Sequence, residues 1–162
     1  MAKPILRLPK NLPAQKPPSG WPPNQSFHGE EFLFRRIHPD DWDDLEITAF
    51  GMPDMSVYRE KYCRARCALH KHEDWGVVQI RVRDVPQFVT YLGTTFYKTN
   101  PVHVPLDNSF GYPHSEVRAF DPVSGRRVSD PQYRGEADIL WRERFLRACM
   151  PAVLPSRLTK PS

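Results

Sequence analysis

Prolines limit where this chain can form regular structure. The sequence holds 18 of them, and seven lie within the first 26 residues. Each proline removes a backbone donor and favours extended, polyproline-like backbone. Residues 1–26 are therefore predicted to be a proline-rich basic arm, with Trp21 as its large aromatic anchor. Residues 151–162 carry three more prolines and are predicted to be a C-terminal tail.

The segment between the arms, residues 27–150, is long enough for one packed domain. Its strand and helix patterns predict an α+β fold, with one antiparallel or mixed sheet and two or more packed helices. No apolar run reaches the roughly 18 residues that span a bilayer, and no secretory signal is visible, so a cytoplasmic location is expected. Three cysteines in such a chain predict free thiols.

The net charge of +4 belongs to the arms rather than to the domain. Residues 1–26 carry four basic residues and no acid, and residues 151–162 carry two basic residues and no acid. Without those six charges, residues 27–150 have a net charge of −2. A nucleic-acid-binding face on the domain is therefore not expected. No cofactor is predicted either.

Four segments have the composition or spacing of extended backbone. Glu31–Ile37 mixes aromatic and branched side chains, and Gly76–Val85 alternates apolar with polar residues, which is the period of a half-buried strand. His114–Phe120 is predicted to be a further strand. His103–Leu106 is predicted to be a brief extended piece.

Three segments are predicted to be helices. Residues 56–72 have mostly helical spacing of apolar side chains, with Ser56 placed to cap the N-terminus. Pro86–Leu92 is predicted to be a short helix, and Glu136–Cys149 has the most regular helical pattern. The acidic residues around Trp42 predict a solvated turn rather than a calcium site, because the glycine and the spaced oxygen ligands of a calcium loop are missing.

Three short motifs follow one another along the chain. Phe34–Pro39 reads FRRIHP, an Ala-Phe pair at residues 49–50 precedes Met55–Val57, and a Pro-Leu pair at residues 105–106 precedes Pro113–Val117. In this order the motifs resemble a group of small uncharacterised bacterial proteins. The resemblance implies no particular activity, but such proteins are similar in context to components of bacterial defence or toxin-related gene sets.

A cysteine and histidine pattern lies in the middle of the chain. Cys63, Cys67, His70 and His72 form C-x3-C-x2-H-x-H, and their sulfur and imidazole groups are ligands that zinc prefers. On a helix the first three share one face, but four ligands do not converge tetrahedrally from one straight helix. The chain is therefore predicted to hold no metal, with zinc as the alternative.

Two candidate enzyme sites use a few polar residues. Arg36, Ser56 and Glu116 follow the order Arg, Ser, Glu that resembles ADP-ribosyltransferases, although apolar neighbours flank Ser56 where those enzymes have Ser-Thr-Ser. The resemblance implies that the arginine holds dinucleotide phosphates and that the glutamate orients the acceptor. His38 and His114 would instead form an acid–base pair for phosphodiester cleavage, because imidazole titrates near neutral pH.

Two functions follow from these patterns. The first is a protein-interaction component whose arm docks on a protein partner through Trp21. The alternative is a nucleotide-directed or RNA-directed enzyme that uses all five polar candidates, Arg36, His38, Ser56, His114 and Glu116. An enzyme requires those side chains to converge in one place, whereas a binding module leaves them scattered.

Overall fold

The computed structural model describes residues 26–43, 50, 55–69, 71–105 and 114–159. In these ranges the strands, in chain order, are β1 (Phe32–Ile37), β2 (Met55–Arg59), β3 (Gly76–Arg81), β4 (Phe88–Tyr91), β5 (Thr94–His103), β6 (His114–Phe120) and β7 (Met150–Val153). The helices are α1 (Glu136–Ala148) and the short α2 (Ser156–Thr159). The predicted arm, except Ser26, lies outside the described residues, and so does its anchor Trp21.

The seven strands form one antiparallel sheet that curls into a half-barrel. The strand order is β4-β5-β6-β2-β1-β3-β7, and every neighbouring pair is antiparallel. The predicted α+β class with an antiparallel sheet is confirmed. The prediction of two or more packed helices is not, since α1 is the one substantial helix among the described residues.

Three strands and one helix match their predicted segments closely. The bounds of β6 are those predicted, β1 begins one residue late, and β3 ends at Arg81, where a 3₁₀ turn follows. The predicted helix over Glu136–Cys149 is confirmed as α1. Each of these segments carries a local signal, either a regular spacing of apolar residues or a high content of aromatic and branched residues, that can be read without knowledge of the rest of the chain.

The predicted helix over residues 56–72 is wrong, because residues 55–59 form β2. Met55, Val57 and Arg59 are buried and alternate with half-buried neighbours, which is the period of a strand. The next residues turn and enter a 3₁₀ helix over Ala65–Leu69. Ser56 is therefore a strand residue and not a helix cap.

The predicted short helix over Pro86–Leu92 is also wrong, because β4 pairs with β5 there in a hairpin. Val89 is buried on the core side of β4, while Tyr91 and Thr94 close the pairing around a two-residue turn. Both turn residues, Leu92 and Gly93, have positive φ, as a type I′ hairpin requires. Leucine is an unusual residue for this backbone conformation.

The C-terminal segment belongs to the fold rather than to a separate tail. β7 pairs with β3 at the edge of the sheet, so residues 151–153 extend the domain beyond the predicted boundary at residue 150. In α2, Arg157 Nη2 donates to the carbonyl oxygen of Pro39 at 2.9 Å and contacts Asp43 Oδ2 at 2.9 Å. These contacts join α2 to the turn that follows β1.

Apolar clusters cover both faces of the sheet. Leu33 and Val57 belong to the larger cluster, in which α1 places Trp141 and Phe145. Phe34 points the opposite way and joins a smaller cluster with residues of the 3₁₀ helix at Ala65–Leu69. Adjacent residues of β1 thus enter different clusters, as strand geometry requires.

The acidic turn after β1 is confirmed in its described part. Pro39–Asp41 form a single 3₁₀ turn with exposed aspartates, and the half-buried ring of Trp42 packs against the larger cluster. Asp44 and Glu46 lie outside the described residues. The Trp42 ring lies so close to Gly76 that a Cβ atom there would overlap it.

One ion pair is buried in the middle of the fold. Arg59 Nε and Nη2 each donate to a carboxylate oxygen of Glu31 at 2.9 Å, and Nη2 also donates to the carbonyl of Ser26 at 2.7 Å. The guanidinium stacks 3.9 Å from the ring centroid of Phe27. Ser26 therefore belongs to the folded domain, although it was predicted to lie in the arm.

Candidate functional site

A group of polar side chains lies on the sheet face that carries the smaller apolar cluster. We call it the polar cluster, and it consists of Arg36, Ser56, Tyr58, His114 and Glu116. Ser56 and Tyr58 alternate with buried residues of β2, as His114 and Glu116 do with those of β6. In the pairing of these strands, Ser56 is opposite Glu116 and Tyr58 is opposite His114. Four side chains from two strands are therefore immediate neighbours.

His114 and Ser56 are joined by a hydrogen bond. His114 Nε2 lies 3.2 Å from Ser56 Oγ, and Nδ1 lies 2.9 Å from the carbonyl oxygen of Val104. A carbonyl oxygen only accepts, so the proton of the neutral ring is on Nδ1. Nε2 then accepts from the serine hydroxyl. The arrangement is a hydroxyl, a base in reach of it, and a third group that orients the base.

Glu116 is paired with a cation on its own strand. Its Oε2 lies 2.7 Å from Arg118 Nε, and the two side chains are only 17% and 18% exposed. A charge-assisted hydrogen bond of this length is among the stronger and more directional ones. Arg118 therefore fixes the position of the Glu116 side chain beside the Ser56–His114 pair.

Arg36 joins the polar cluster through Tyr58. Its guanidinium carbon lies 5.4 Å from the centre of the Tyr58 ring, whose edge meets the His114 ring at a centroid distance of 5.9 Å. A cation over a tyrosine face is attracted by the ring electrons and keeps its N–H edge available for an anion. On the other side of β1, Arg35 Nη1 donates to the carbonyl of Ser56 at 2.9 Å.

His38 does not join the other four predicted residues. It is exposed after the end of β1, where its Nδ1 accepts from the backbone N–H of Asp40 at 3.2 Å and its ring meets Trp75 at 4.9 Å. β2 lies between β1 and β6, which separates their backbones by about 10 Å. The strands that carry His38 and His114 are thus not paired with each other.

The cysteine and histidine pattern does not lie on one helix. Cys63 is buried in the turn after β2, where its Sγ donates to the carbonyl of Arg59 at 3.3 Å and burial raises its pKa well above the usual value. Cys67 lies in the 3₁₀ helix, and His72 contacts Trp75 at 4.4 Å. His70 is outside the described residues. Among the residues that the structure describes, no three metal-ligating side chains gather.

Sequence reasoning missed Tyr58, Val104 and Arg118, each of which contacts a predicted residue. Tyr58 and Arg118 are two residues along their strands from Ser56 and Glu116, so the period of a strand places each pair on one face. That signal was hidden at Tyr58 because β2 was taken for a helix. Nothing in the sequence marks the Val104 carbonyl, since any residue has one.

No family model, curated protein or solved structure matches this chain. The similarity to small bacterial proteins with the three motifs therefore stays a prediction. None of the described helices is long and apolar enough to cross a membrane.

Proposed function

We propose that this protein is a nucleotide-directed enzyme that breaks an N-glycosidic bond in a dinucleotide, in the manner of ADP-ribosyltransferases. The observation that carries the proposal is the polar cluster itself. Ser56 and Glu116 are opposite each other on paired strands, and Arg36 lies on the same face. Their order along the chain, Arg, Ser and Glu, is also the order that resembles ADP-ribosyltransferases.

Arg36 is assigned to the phosphates of the substrate. A planar guanidinium binds phosphate oxygens with two parallel hydrogen bonds, and Arg36 pairs with no acid among the described residues. The Tyr58 ring beneath it fixes the direction of the N–H edge without neutralising the charge. A diphosphate bound there would reach along the face toward Ser56 and Glu116.

Glu116 is assigned to the sugar from which the base departs. When the bond between ribose C1′ and the nicotinamide nitrogen breaks, its electron pair leaves with the ring, and positive charge develops at the sugar. A carboxylate near C1′ stabilises that charge and accepts a hydrogen bond from a ribose hydroxyl. Arg118 holds the Glu116 side chain in position for this task, and Ser56 helps to hold the ribose beside it.

The two other predicted functions have less support. Phosphodiester cleavage by two histidines needs His38 beside His114, and the two make contacts in different places. The protein-interaction function depends on Trp21, which lies outside the described residues, so it stays a prediction with its partner unidentified. The polar cluster has the composition of a reaction site and not of an apolar docking surface.

The test is release of nicotinamide from nicotinamide adenine dinucleotide, followed by chromatography. The wild-type protein should release it, and Glu116→Gln should lower the rate about 100-fold or more, because the carboxylate charge is lost with little change of shape. Arg36→Ala should raise KM more than it lowers kcat. Glu143→Gln, on the exposed side of α1, is the matched control and should behave as wild type.

Two results would contradict the proposal. One is a wild-type protein that releases no more nicotinamide than buffer does. The other is a folded Glu116→Gln variant that works at the wild-type rate.

A further inference from the structure

We propose that the acceptor in this reaction is a neutral hydroxyl group, and specifically water, and that His114 takes its proton. This inference rests on the proposed function and specifies its second substrate. With nicotinamide adenine dinucleotide as substrate, the products would be free nicotinamide and free ADP-ribose. The protein would then be a hydrolase rather than a transferase that modifies another macromolecule.

The first argument is the fixed direction of the His114 ring. Because Nδ1 donates to the carbonyl oxygen of Val104, Nε2 carries no proton and is the basic nitrogen of the ring. It accepts a hydrogen bond from Ser56 Oγ. A base held in one tautomer has a proton-accepting role ready before substrate arrives. A histidine that only filled space would not need a hydrogen-bond partner at each ring nitrogen.

The second argument is the position of the base relative to the carboxylate. His114 and Glu116 are two residues apart on one strand, so their side chains leave the same face about 7 Å from each other. Ser56 faces Glu116 from the neighbouring strand and reaches His114 diagonally. A ribose over Glu116 would thus have C1′ near the Ser56 hydroxyl, on the side from which a small nucleophile can attack.

The third argument is charge. Among the residues that the structure describes, the polar cluster and its ion-pair partner bring two cations, Arg36 and Arg118, and one carboxylate to this face. A lysine or arginine side chain as acceptor would bring another cation beside them, which like-charge repulsion disfavours. A carboxylate acceptor needs no base at all. A hydroxyl acceptor is neutral, so it is not repelled by the two cations. It must lose a proton, and His114 is the base that would take it.

In the proposed step, one bond forms at C1′ of the ribose as another breaks. The water oxygen bonds to C1′ as the C1′–nitrogen bond breaks, and nicotinamide leaves as a neutral ring with the electron pair of that bond. The water proton passes to Ser56 Oγ while the Ser56 proton passes to His114 Nε2. The imidazolium that forms lies on the same strand face as the Glu116 carboxylate, which attracts its charge, and it returns its extra proton to solvent.

The experiment compares wild type, His114→Asn and His114→Ala with nicotinamide adenine dinucleotide as substrate. Asparagine can still donate to the Val104 carbonyl, which protects the fold, but its amide is not a base. Nicotinamide and the ribosyl products are quantified in water and in water with added methanol, with and without added imidazole. A mixture of unrelated proteins is included as a source of lysine, arginine and serine acceptors. His72→Ala is the matched histidine control.

The expected result is nicotinamide with an equal amount of free ADP-ribose, and an O-methyl riboside in the presence of methanol. His114→Asn should slow both about 100-fold, and imidazole should restore part of the rate in His114→Ala. ADP-ribose transferred to lysine, arginine or serine side chains would overturn the inference, and so would a wild-type rate in His114→Asn. In both of those cases nicotinamide release would still support the proposed function. No release by the wild-type protein would overturn both.

Discussion

Acidification should destabilise this protein through His103, which is buried on the face of the sheet opposite His114. His103 is 3% exposed, its Nδ1 lies 3.2 Å from Ser115 Oγ, and its ring stacks on Tyr62 at 5.2 Å. Burial, followed by the positive charge of Arg59, lowers the pKa of His103 from 6.5 to about 4. The folded protein therefore holds this imidazole in its neutral form.

The size of the loss in stability follows from the difference between the pKa of His103 in the unfolded chain and its pKa in the folded protein. In the unfolded chain His103 takes a proton near pH 6.5, whereas in the folded protein it does so only near pH 4. Above pH 6.5 both states are neutral, and His103 adds no pH dependence. Between pH 6.5 and pH 4 the unfolded state binds the proton first, so the free energy of unfolding falls as pH falls. At 1.36 kcal/mol per pH unit, the total loss is about 3 kcal/mol.

The assay is urea unfolding of wild type and His103→Gln at several values between pH 7.5 and pH 4.5. Glutamine can still hydrogen bond to Ser115 but cannot be protonated, and the difference between the two proteins cancels the titration of shared carboxylates. Wild type should lose about 2.5 kcal/mol more than the variant by pH 4.5. His38→Gln, at an exposed position, should retain the loss. If the difference in free energy of unfolding between the two proteins stays constant across this range, His103 does not cause the loss of stability.

Three further predictions concern stability. Arg59→Met should lower the urea-derived free energy of unfolding by about 3 to 5 kcal/mol, because it leaves the buried Glu31 without its ion-pair partner. Adding Glu31→Gln to this variant should recover part of the lost free energy. Gly76→Ala should cost about 1 to 3 kcal/mol by the same measurement, because the new Cβ overlaps the Trp42 ring, and an unchanged midpoint would contradict this. Leu92→Asn should raise the free energy of unfolding by about 0.5 to 1 kcal/mol, since asparagine tolerates the φ of 47° better than leucine, and a lower value would argue that the Leu92 side chain is needed.

The sequence predicted those segments whose spacing of apolar residues alone shows which side chains are buried. β3 and α1 have apolar periods that need only one partner surface, and both were predicted. β2 was missed because Arg59 takes a core position, which breaks the alternation of apolar and polar residues. β7 was missed because it is a four-residue edge strand containing Pro151, and only its pairing with β3 makes it a strand.

The sequence predicted which residues form the candidate site, but it did not predict where on the fold they come together. Arg36, Ser56, His114 and Glu116 were named from their chemistry and order, yet the expected helix at Ser56 would have kept that residue out of the sheet. Their assembly depends on β2 lying between β1 and β6, which is a long-range feature of the topology. His38 was named on the same grounds and lies apart, because it follows the end of its strand.

The proposed dinucleotide site consists of Arg36, Ser56, His114 and Glu116. A titration of the ¹⁵N-labelled protein with ADP-ribose, followed by two-dimensional NMR, tests whether these residues bind one ligand. The largest amide shifts should fall in β1, β2 and β6 around these residues, and Arg36→Ala should weaken binding at least tenfold. Shifts centred on α1, or none at millimolar ligand, would contradict the proposed site.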